Sequence, residues 1–422
     1  MLIQELVEDL LGPDLPIGIR AYDGTRMGPP DPPATLVIHS KNALRRIVTR
    51  PGELGFARSY VTGEVEIEGD IFDFIALQSR LPQVQLNLRQ VWKGLKILGL
   101  RNLWPLAPPP EEARIRFGLR HSRGRDARSL SAHYDLPNEF FELILGPSLT
   151  YTCAVFESEN DTLEQAQANK YELICRKLAL GPGKRLLDLG CGWGDMVIHA
   201  AKHHGARAVG VTLSKRQAEY AREKILAEGL EKLVEIRLQD FRDIDDGPYD
   251  AVSAIGFFEH VGLGRRSGYI PRVFSLLSRG GRFLNHAISR MPNIKERLSR
   301  SGFADRYVFP DGELVEIGKV VSAVHKAGFD IRHVENLRDH YVPTLRHWAA
   351  NLERNWDKVA ALSSQGKARV WRLYLAGSVM RFAWNQLHVH QVLALKSEQG
   401  PGAVGMPFRP TWDGSLRIGG NV

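Results

Sequence analysis

A glycine-rich turn is the first stretch of the sequence whose residue types and spacing could do chemistry. Gly190, Gly192 and Gly194 follow a mostly apolar run at 186–189, and a helix-like segment begins at Asp195. Glycine has no Cβ, so the backbone of such a turn can lie directly against a ligand. The spacing Gly-x-Gly-x-Gly is tighter than the dinucleotide fingerprint Gly-x-Gly-x-x-Gly. We therefore expect S-adenosylmethionine (SAM) here rather than NAD, with a plain structural turn as the alternative.

The segments around this turn alternate between strand-like and helix-like patterns. Strand-like runs occur at 185–189, 206–212, 234–238, 249–255 and 281–288, with helix-like segments between them. Strands separated by helices form parallel units with right-handed crossovers. The pattern predicts an α/β fold with a doubly wound, mostly parallel sheet, and a smaller α+β domain formed by the N-terminal residues.

Polar residues stand where these strands end, and ligands bind at the carboxyl ends of such strands. The positions selected by this rule after the glycine turn are Thr212, Gln239, Asp240, residues 256–259 and His286. We expect these side chains to line one edge of the sheet.

The end of the second strand lacks the acid that commonly binds a ribose diol. Thr212 and Gln217 are the polar residues in its place, so we expect them to bind the ribose if the ligand is SAM. Asp240 is placed to accept a hydrogen bond from an adenine amino group. The alternative is an ordinary loop residue, which is the more frequent role of an aspartate after a strand.

The composition is that of a soluble globular protein, with 422 residues of which 43% are hydrophobic and 25% charged. There is no apolar run of about 18 residues, and the N-terminal residues are acidic and amphipathic rather than a leader. Cys153, Cys175 and Cys191 are odd in number and lack metal-ligand spacing, so we interpret them as reduced thiols and predict no metal site. These features favour a cytoplasmic protein, peripheral at the inner membrane surface.

Positive charge is concentrated in one segment. The net charge is +8, which favours an anionic partner, either acidic lipid or nucleic acid. Between Arg89 and Arg128, ten basic residues stand against three acidic ones, interleaved with bulky apolar residues that include Trp92 and Trp104. This mixture suits an anionic bilayer, while a solvated helix face with a buried stripe is the alternative. We expect a membrane partner and no nucleic acid.

Prolines at 105–110 mark a domain boundary, because they disfavour regular structure. We expect an N-terminal lipid-binding or accessory domain at 1–105, a basic linker at 106–129 and a catalytic domain at 130–422.

In the C-terminal third the simple alternation of strands and helices stops. Residues 305–314 are expected to form an aromatic loop. Residues 339–396 are expected to form a long helical region whose apolar side chains could line a tunnel for an acyl chain.

Several motifs together resemble the cyclopropane-fatty-acyl-phospholipid synthases and the mycolic-acid cyclopropane synthases. The resemblance covers about residues 130–395 and rests on His133-Tyr-Asp135, Tyr151-Thr-Cys-Ala154, Leu187-Asp-Leu-Gly-Cys-Gly-Trp-Gly194, Val211-Thr-Leu-Ser214 with Gln217, Gln239-Asp-Phe-Arg-Asp243 and Phe258-Glu-His-Val-Gly262. It implies transfer of a methylene carbon from SAM to the cis double bond of an unsaturated phospholipid acyl chain. The resulting carbocation would be deprotonated by bound bicarbonate. A homodimer is also implied.

The resemblance assigns site residues as well. The SAM contacts carry over onto Tyr151, Thr152, Gly190, Gly192, Thr212, Leu213, Gln217, Gln239 and Asp240, with Gly194 completing the turn. The bicarbonate site carries over onto Cys153, Glu259, His286, Ile288 and Tyr341. Taken alone, the glutamate could cap a turn, the histidine could be a satisfied buried group and the tyrosine could be core. The mycolic-acid enzymes carry Trp-Glu at Gln239–Asp240, so the adenine contact departs from the family pattern.

The product is left open between two chemistries. Tyr22-Asp-Gly-Thr-Arg26, Tyr151–Phe156 and residues 303–313 look like the actinobacterial branch that makes 10-methylene acyl chains, which a separate reductase converts to 10-methyl chains. We expect the cyclopropane first and the methylene product second. An RNA or small-molecule methyltransferase, and a membrane-binding module with an inactive core, are the competing classes.

Overall fold

The computed structural model describes most of the chain. The described residues are 2–78, 99, 104–113, 136–261, 266–294, 302–309, 312–397, 406–407 and 409–412. Trp92, most of the basic segment 89–128 and the motif at His133 lie outside them. The chain divides into two compact units, which we describe separately. The first comprises Met1–Arg116, Leu298–Pro310 and Trp348–Arg381, and the second comprises Phe117–Arg297, Asp311–His347 and Phe382–Val422.

The helices and strands are numbered in chain order. The N-terminal elements are α1 (Leu2–Leu11), β1 (Gly18–Ala21), β2 (Arg26–Met27), β3 (Ala34–Ile38), α2 (Lys41–Thr49), α3 (Glu53–Val61), β4 (Val65–Gly69) and α4 (Ile71–Gln78). The central elements are α5 (Asn138–Leu145), α6 (Leu163–Leu178), β5 (Arg185–Leu189), α7 (Asp195–His204), β6 (Arg207–Thr212), α8 (Lys215–Ala227), β7 (Val234–Leu238), β8 (Tyr249–Ile255), α9 (Arg266–Leu276) and β9 (Leu277–Arg290). The last elements are α10 (Phe303–Tyr307), α11 (Ile317–Lys326), β10 (Asp330–Asn336), α12 (Arg338–Arg354), α13 (Trp356–Leu362), α14 (Gln365–Ala383) and β11 (Leu387–Leu395).

The first unit is built on a four-stranded sheet of order β2-β1-β3-β4. Its core is apolar: the buried Tyr60 of α3 clusters with Ala376 of α14, and Val61 clusters with Val370. One buried ion pair joins distant segments, because Arg58 donates from Nε to Glu112 Oε2 at 2.7 Å and from Nη2 to Oε1 at 2.8 Å. A two-pronged pair of this kind holds both the position and the orientation of the two side chains.

The second unit contains a seven-stranded sheet of order β10-β11-β9-β8-β5-β6-β7. The strands β9, β8, β5, β6 and β7 pair in parallel, whereas β11 pairs antiparallel with both β9 and β10. Four of the five residues of the central strand β5 are buried, as expected for a strand covered on both faces. The predicted α/β fold with a mostly parallel sheet is confirmed.

Two expectations for the C-terminal third are wrong. Part of the expected aromatic loop is the helix α10, in which Phe303 and Tyr307 stack at 5.3 Å on one buried face. The long helical region ends at Asn385, whose φ of 59° is left-handed. Residues Leu387–Leu395 then form a strand that is buried on both faces.

Among the helices of the described residues, none combines the length and the apolar composition needed to cross a bilayer.

Candidate active site

The irregular segment that begins at Tyr151 is held in place by α6. Gln167 Nε2 donates to the Thr152 carbonyl at 3.0 Å, and Lys170 Nζ donates to Thr152 Oγ1 at 2.8 Å. A second hydrogen bond runs from Lys170 Nζ to Gln167 Oε1 at 2.9 Å. Both helix residues are buried, so this part of the segment is fixed by internal hydrogen bonds rather than by solvent.

The glycine turn connects β5 to α7, as predicted. Gly190 has a φ of 73°, and a Cβ there would lie 2.6 Å from Phe257 Cδ2, so this position requires glycine for the turn itself. Gly192 has a φ of 54°, but a Cβ there would meet nothing within 4 Å. The turn therefore leaves open space beside Gly192, while Gly194 precedes the first residue of α7.

The end of β6 carries a linked pair of polar side chains. Thr212 Oγ1 donates to Gln217 Oε1 at 2.9 Å, and both residues are buried. Because the amide oxygen is occupied, the amide NH₂ is the group that Gln217 can offer to a ligand. Leu213, between them in the chain, is 39% exposed.

The two candidate residues at the end of β7, Gln239 and Asp240, have different surroundings. Gln239 lies against the same open space as the β6 residues. The Asp240 carboxylate instead forms an ion pair with Arg242, which donates from Nε to Oδ1 at 2.7 Å and from Nη2 to Oδ2. Asp240 is also the cap of a short 3₁₀ turn, accepting from the Arg242 backbone. The adenine contact expected of Asp240 stays a prediction.

These strand ends enclose a cavity of about 150 Å³. Eight of the ten residues predicted to hold SAM line it: Tyr151, Thr152, Gly190, Gly192, Thr212, Leu213, Gln217 and Gln239. Gly194 and Asp240 are not among its lining residues.

Sequence reasoning missed several residues of this cavity. The additional lining residues include Asp188, Trp193, Asp195, Phe241 and His260, whereas Phe257 lies within the expected range 256–259. Burial raises the pKa of Asp188 to about 7, although the hydrogen bond from Ser253 and the charge of Lys170 oppose the rise. Burial likewise lowers the pKa of Lys170 to about 7. The signal in the sequence was an acid inside an apolar strand, which is rarely tolerated without a partner.

Glu259 and Ile288 are brought together beside this cavity. The Ile288 backbone N–H donates to Glu259 Oε1 at 2.6 Å, from β9 to the short 3₁₀ turn Phe258–His260 that follows β8. Phe257 and His260, which flank that turn, line the cavity. The carboxylate therefore lies next to the expected cofactor site and is oriented by backbone.

His286 is oriented by a chain of hydrogen bonds that the sequence did not predict. Lys177 Nζ donates to Gln391 Oε1 at 2.7 Å, and Gln391 Nε2 lies 3.2 Å from His286 Nδ1. A lysine ammonium can only donate, so the Gln391 oxygen must face Lys177 and its NH₂ must face the ring. His286 Nδ1 is then an acceptor, and the hydrogen of the neutral ring is on Nε2.

The electrostatics keep that ring neutral. Burial holds the pKa of His286 well below its ordinary value, and the nearby charges of Lys170 and Lys177 lower it further. A neutral imidazole with its hydrogen on Nε2 is a hydrogen-bond donor at that nitrogen, not a cation.

Cys153, in the segment that begins at Tyr151, and Tyr341, in α12, both lie near Leu337, the residue just before that helix. The Cys153 thiol lies 3.6 Å from the Leu337 carbonyl, just before that helix, and the Leu337 N–H donates to the Val389 carbonyl at 2.7 Å. Val389 is the register partner of Ile288. Tyr341 is buried in the first turn of α12. Burial raises the pKa of the Cys153 thiol, which makes it an inert side chain rather than a nucleophile.

Four of the five residues predicted to form the bicarbonate site, Cys153, Glu259, His286 and Ile288, are therefore linked through β9, β11 and Leu337. The Tyr341 ring packs against Phe382 with centroids 4.6 Å apart. None of the five lines the cavity itself. Their role in catalysis stays a prediction.

Comparison with known proteins decides the family. A family model described as Mycolic acid cyclopropane synthetase matches residues 121–392, more than half of the chain. The chain belongs to the mycolic acid cyclopropane synthetase family. Enzymes of this family are SAM-dependent methyltransferases that modify fatty acid or lipid chains, and this chain is one of them.

Individual relatives cover the chain to different extents. It is 42% identical over 407 residues to a probable fatty acid methyltransferase of Mycobacterium tuberculosis, covering 94% of this chain and 95% of the relative. It is 32% identical over 402 residues to the tuberculostearic acid methyltransferase UfaA1 of the same organism, covering 92% and 89%. The crystal structure of the mycolic acid cyclopropane synthase CmaA1 complexed with SAH and CTAB is similar with a TM-score of 0.60 and 32% identity, covering 64% of this chain and 98% of that one.

Proposed function

We propose that this chain transfers one carbon from SAM to the cis double bond of an unsaturated phospholipid acyl chain. One observation carries the proposal: a candidate cofactor cavity lies directly beside a half-buried acid, Glu259, and an oriented neutral histidine, His286. Phe257 and His260 line the cavity on either side of Glu259, and the Gly256 N–H donates to the His286 carbonyl at 2.8 Å. A methyl donor can therefore add a carbon to the acyl chain, and a base beside it can remove a proton from that added carbon.

The cavity residues fit SAM. The open space at Gly192 lets the backbone turn lie against the cofactor, and the amide NH₂ of Gln217 can donate to a ribose hydroxyl. Bound SAM would supply an electrophilic methyl group at this site. Thr152 is fixed by Lys170 and Gln167, so the wall of the site is pre-organised.

Positioning must supply most of the rate gain, because an alkene is a weak nucleophile. A bound alkene held in line with a reactive methyl group gains from pre-paid orientation and from exclusion of water. The aromatic rings of Phe241 and Phe257 meet edge to face at 5.4 Å on the cavity wall. Such rings exclude water and tolerate a developing positive charge on the acyl chain.

Glu259 and His286 fit a bound bicarbonate. Its O–H can be donated to the Glu259 carboxylate, and one of its oxygens can accept the hydrogen on His286 Nε2. The hydroxyl of Tyr269 is buried and has no hydrogen-bond partner among the described residues, and the Glu259 charge adds to burial in raising the pKa of this tyrosine. A small polar ligand would satisfy that hydroxyl. Bicarbonate would supply the base that removes the proton.

Both candidate products use this base. After methyl addition the acyl chain is a carbocation. Loss of a proton from the added carbon with closure onto the cationic carbon gives the cyclopropane. A hydride shift from the methyl-bearing carbon, followed by loss of a proton from the added carbon, gives the methylene-branched acyl chain.

The coverage of the relatives favours the methylene product. The fatty acid methyltransferase and UfaA1 match over at least 92% of this chain, whereas CmaA1 matches 64% of it. The N-terminal unit is thus shared with relatives named for methyl transfer to fatty acids. We therefore place the methylene product first and the cyclopropane second, the reverse of the order expected from sequence.

The test is incubation of purified protein and SAM with vesicles of a monounsaturated anionic phospholipid. Proton NMR of the recovered acyl chains would show vinylidene signals for the methylene product or upfield ring signals for the cyclopropane. The same incubation with SAM labelled in its methyl group tests the alternative. Transfer of that label to co-purified RNA, with the lipid unmodified, would replace the proposal by an RNA methyltransferase.

We also propose that the protein docks on membranes and that it forms a homodimer. Docking is supported by Trp104, which is 79% exposed and whose carbonyl accepts from Arg45 Nε at 2.7 Å. An exposed tryptophan beside an arginine suits an anionic interface. Vesicle flotation of Trp104→Ala checks this: unchanged binding to anionic vesicles would remove the tryptophan from the contact.

A further inference from the structure

We propose that α6 and α7 hold a zinc-type divalent cation through Cys175, His199, His204 and Glu172. Three of these groups, Cys175, His199 and His204, offer ligand atoms that all lie within 4.8 Å of one another. The cluster is outside the cofactor cavity, and no part of the proposed function uses it. It is the strongest group of metal-ligating side chains that the described residues bring together.

We assign the fourth position of the site to Glu172, which lies against both histidines. Its Oε2 lies 2.9 Å from His204 Nε2 and 3.4 Å from His199 Nε2. Its other oxygen accepts from Arg176 Nε at 2.8 Å. The arginine therefore fixes the carboxylate and leaves Oε2 turned toward both imidazoles, which is how an outer hydrogen bond orients a metal ligand.

The ligand atoms of Cys175, His199 and His204, which lie within 4.8 Å of one another, are near the spacing of a tetrahedral site. With Zn–N bonds of about 2.0–2.1 Å and a Zn–S bond of about 2.3 Å, neighbouring ligand atoms are roughly 3.3–3.6 Å apart. Contraction of the cluster by about 1 Å is within the reach of side-chain rotation on two packed helices. Four protein ligands leave no open position, so the geometry is that of a structural rather than a catalytic site.

The chemistry of the ligands selects the metal class. A thiolate with two imidazoles and one carboxylate favours zinc over the hard cations magnesium and calcium, which prefer oxygen ligands. On binding, the metal takes the place of the Cys175 thiol proton, which is released to solvent. The hydrogen that His204 donates from Nε2 to Glu172 moves to Nδ1, so that Nε2 can bind the metal.

The location gives the site a role in holding the two helices together. Cys175 is fully buried at the C-terminal part of α6, and His204 is the last residue of α7. A metal there would join the end of the helix that begins at the glycine turn to the helix that fixes Thr152.

The experiment uses the full chain without a histidine tag, stripped with a chelator and then titrated with Co²⁺ and Zn²⁺. We expect one equivalent of Co²⁺ to give the near-ultraviolet thiolate band and the visible bands of a tetrahedral site, and Zn²⁺ to displace them. Zinc should raise the thermal midpoint of the wild-type protein. Cys175→Ser should abolish the thiolate band, and His204→Ala should weaken zinc binding by at least tenfold.

The matched control is His325→Ala, which removes an exposed histidine from the last turn of α11. It should bind metal as the wild-type protein does. Circular dichroism establishes that each variant is folded before titration. A wild-type protein that retains no stoichiometric zinc at micromolar concentration, or a Cys175→Ser variant with an unchanged cobalt spectrum, would overturn the proposal. The cluster would then be a set of Glu172 hydrogen bonds only.

Discussion

The hydrogen-bond chain from Lys177 through Gln391 to His286 predicts the outcome of a single-atom exchange. Gln391→Glu keeps an oxygen for Lys177 Nζ, now at 2.7 Å as a charged pair, but replaces the NH₂ that faces His286 Nδ1 by a second oxygen. The ring must then move its hydrogen to Nδ1 to avoid two facing acceptors. His286 Nε2 loses the hydrogen that we assign to the bound anion.

The magnitude follows from the cost of a buried unsatisfied acceptor, about 1–3 kcal/mol. At about 1.4 kcal/mol per factor of ten, the Nε2–H form becomes roughly 5- to 150-fold less populated. We therefore expect kcat to fall by about one to two orders of magnitude, with unchanged affinity for SAM. The assay is product formation on monounsaturated vesicles, with SAM binding measured by calorimetry.

A matched variant separates orientation from stability. Gln391→Leu also removes the donor, but it places no acceptor against His286 and leaves the buried Lys177 with one partner fewer. The activity order should be wild type, then Leu, then Glu, while the stability order should be wild type, then Glu, then Leu. Nitrogen-15 NMR of labelled histidine should show the Nε2–H form only in the wild type and the Leu variant. Full activity of Gln391→Glu, or the same ranking in both measurements, would refute the reasoning.

Three further predictions test other parts of the structure. Burial lowers the pKa of Lys170 to about 7 from 10.5, so between these pH values the unfolded chain binds more protons than the folded one. The stability of the wild type relative to Lys170→Met should therefore rise with pH in this range, by up to about 1.4 kcal/mol per pH unit. Urea unfolding at several pH values measures this, and a difference in stability that does not change with pH would count against it. Glu112→Gln leaves Arg58 buried without its charged partner and should cost about 3–5 kcal/mol; a loss below about 1 kcal/mol in urea would contradict the assignment. Gln217→Ala should raise the Kd for SAM about tenfold, by loss of one hydrogen bond, with kcat at saturation retained; an unchanged Kd would remove it from the ribose site.

Much of the fold could be predicted because local patterns determine it. The run from Arg185 to Gly194 combines a buried strand, a turn that needs left-handed glycine and a helix start, and each is visible without neighbours. Strand β11 could not be found this way, because it is buried on both faces and its pairing with β9 is a long-range contact.

The site was predictable only in part for a related reason. Positions at strand ends are fixed by topology, and eight of the expected cofactor residues line the cavity. Gln391 was missed because its role depends on hydrogen bonds to Lys177 and His286, which are distant from it in the sequence. The grouping of Cys175 with His199 and His204 was missed because its ligands come from two helices and have no motif spacing.

The most direct test of the central claim is mass spectrometry of acyl chains after incubation with SAM carrying a fully deuterated methyl group. If the base beside Glu259 and His286 removes a proton from the added carbon, the modified acyl chain should retain two of the three deuterium atoms, in either product. Retention of all three, or unmodified acyl chains with the label elsewhere, would contradict the account.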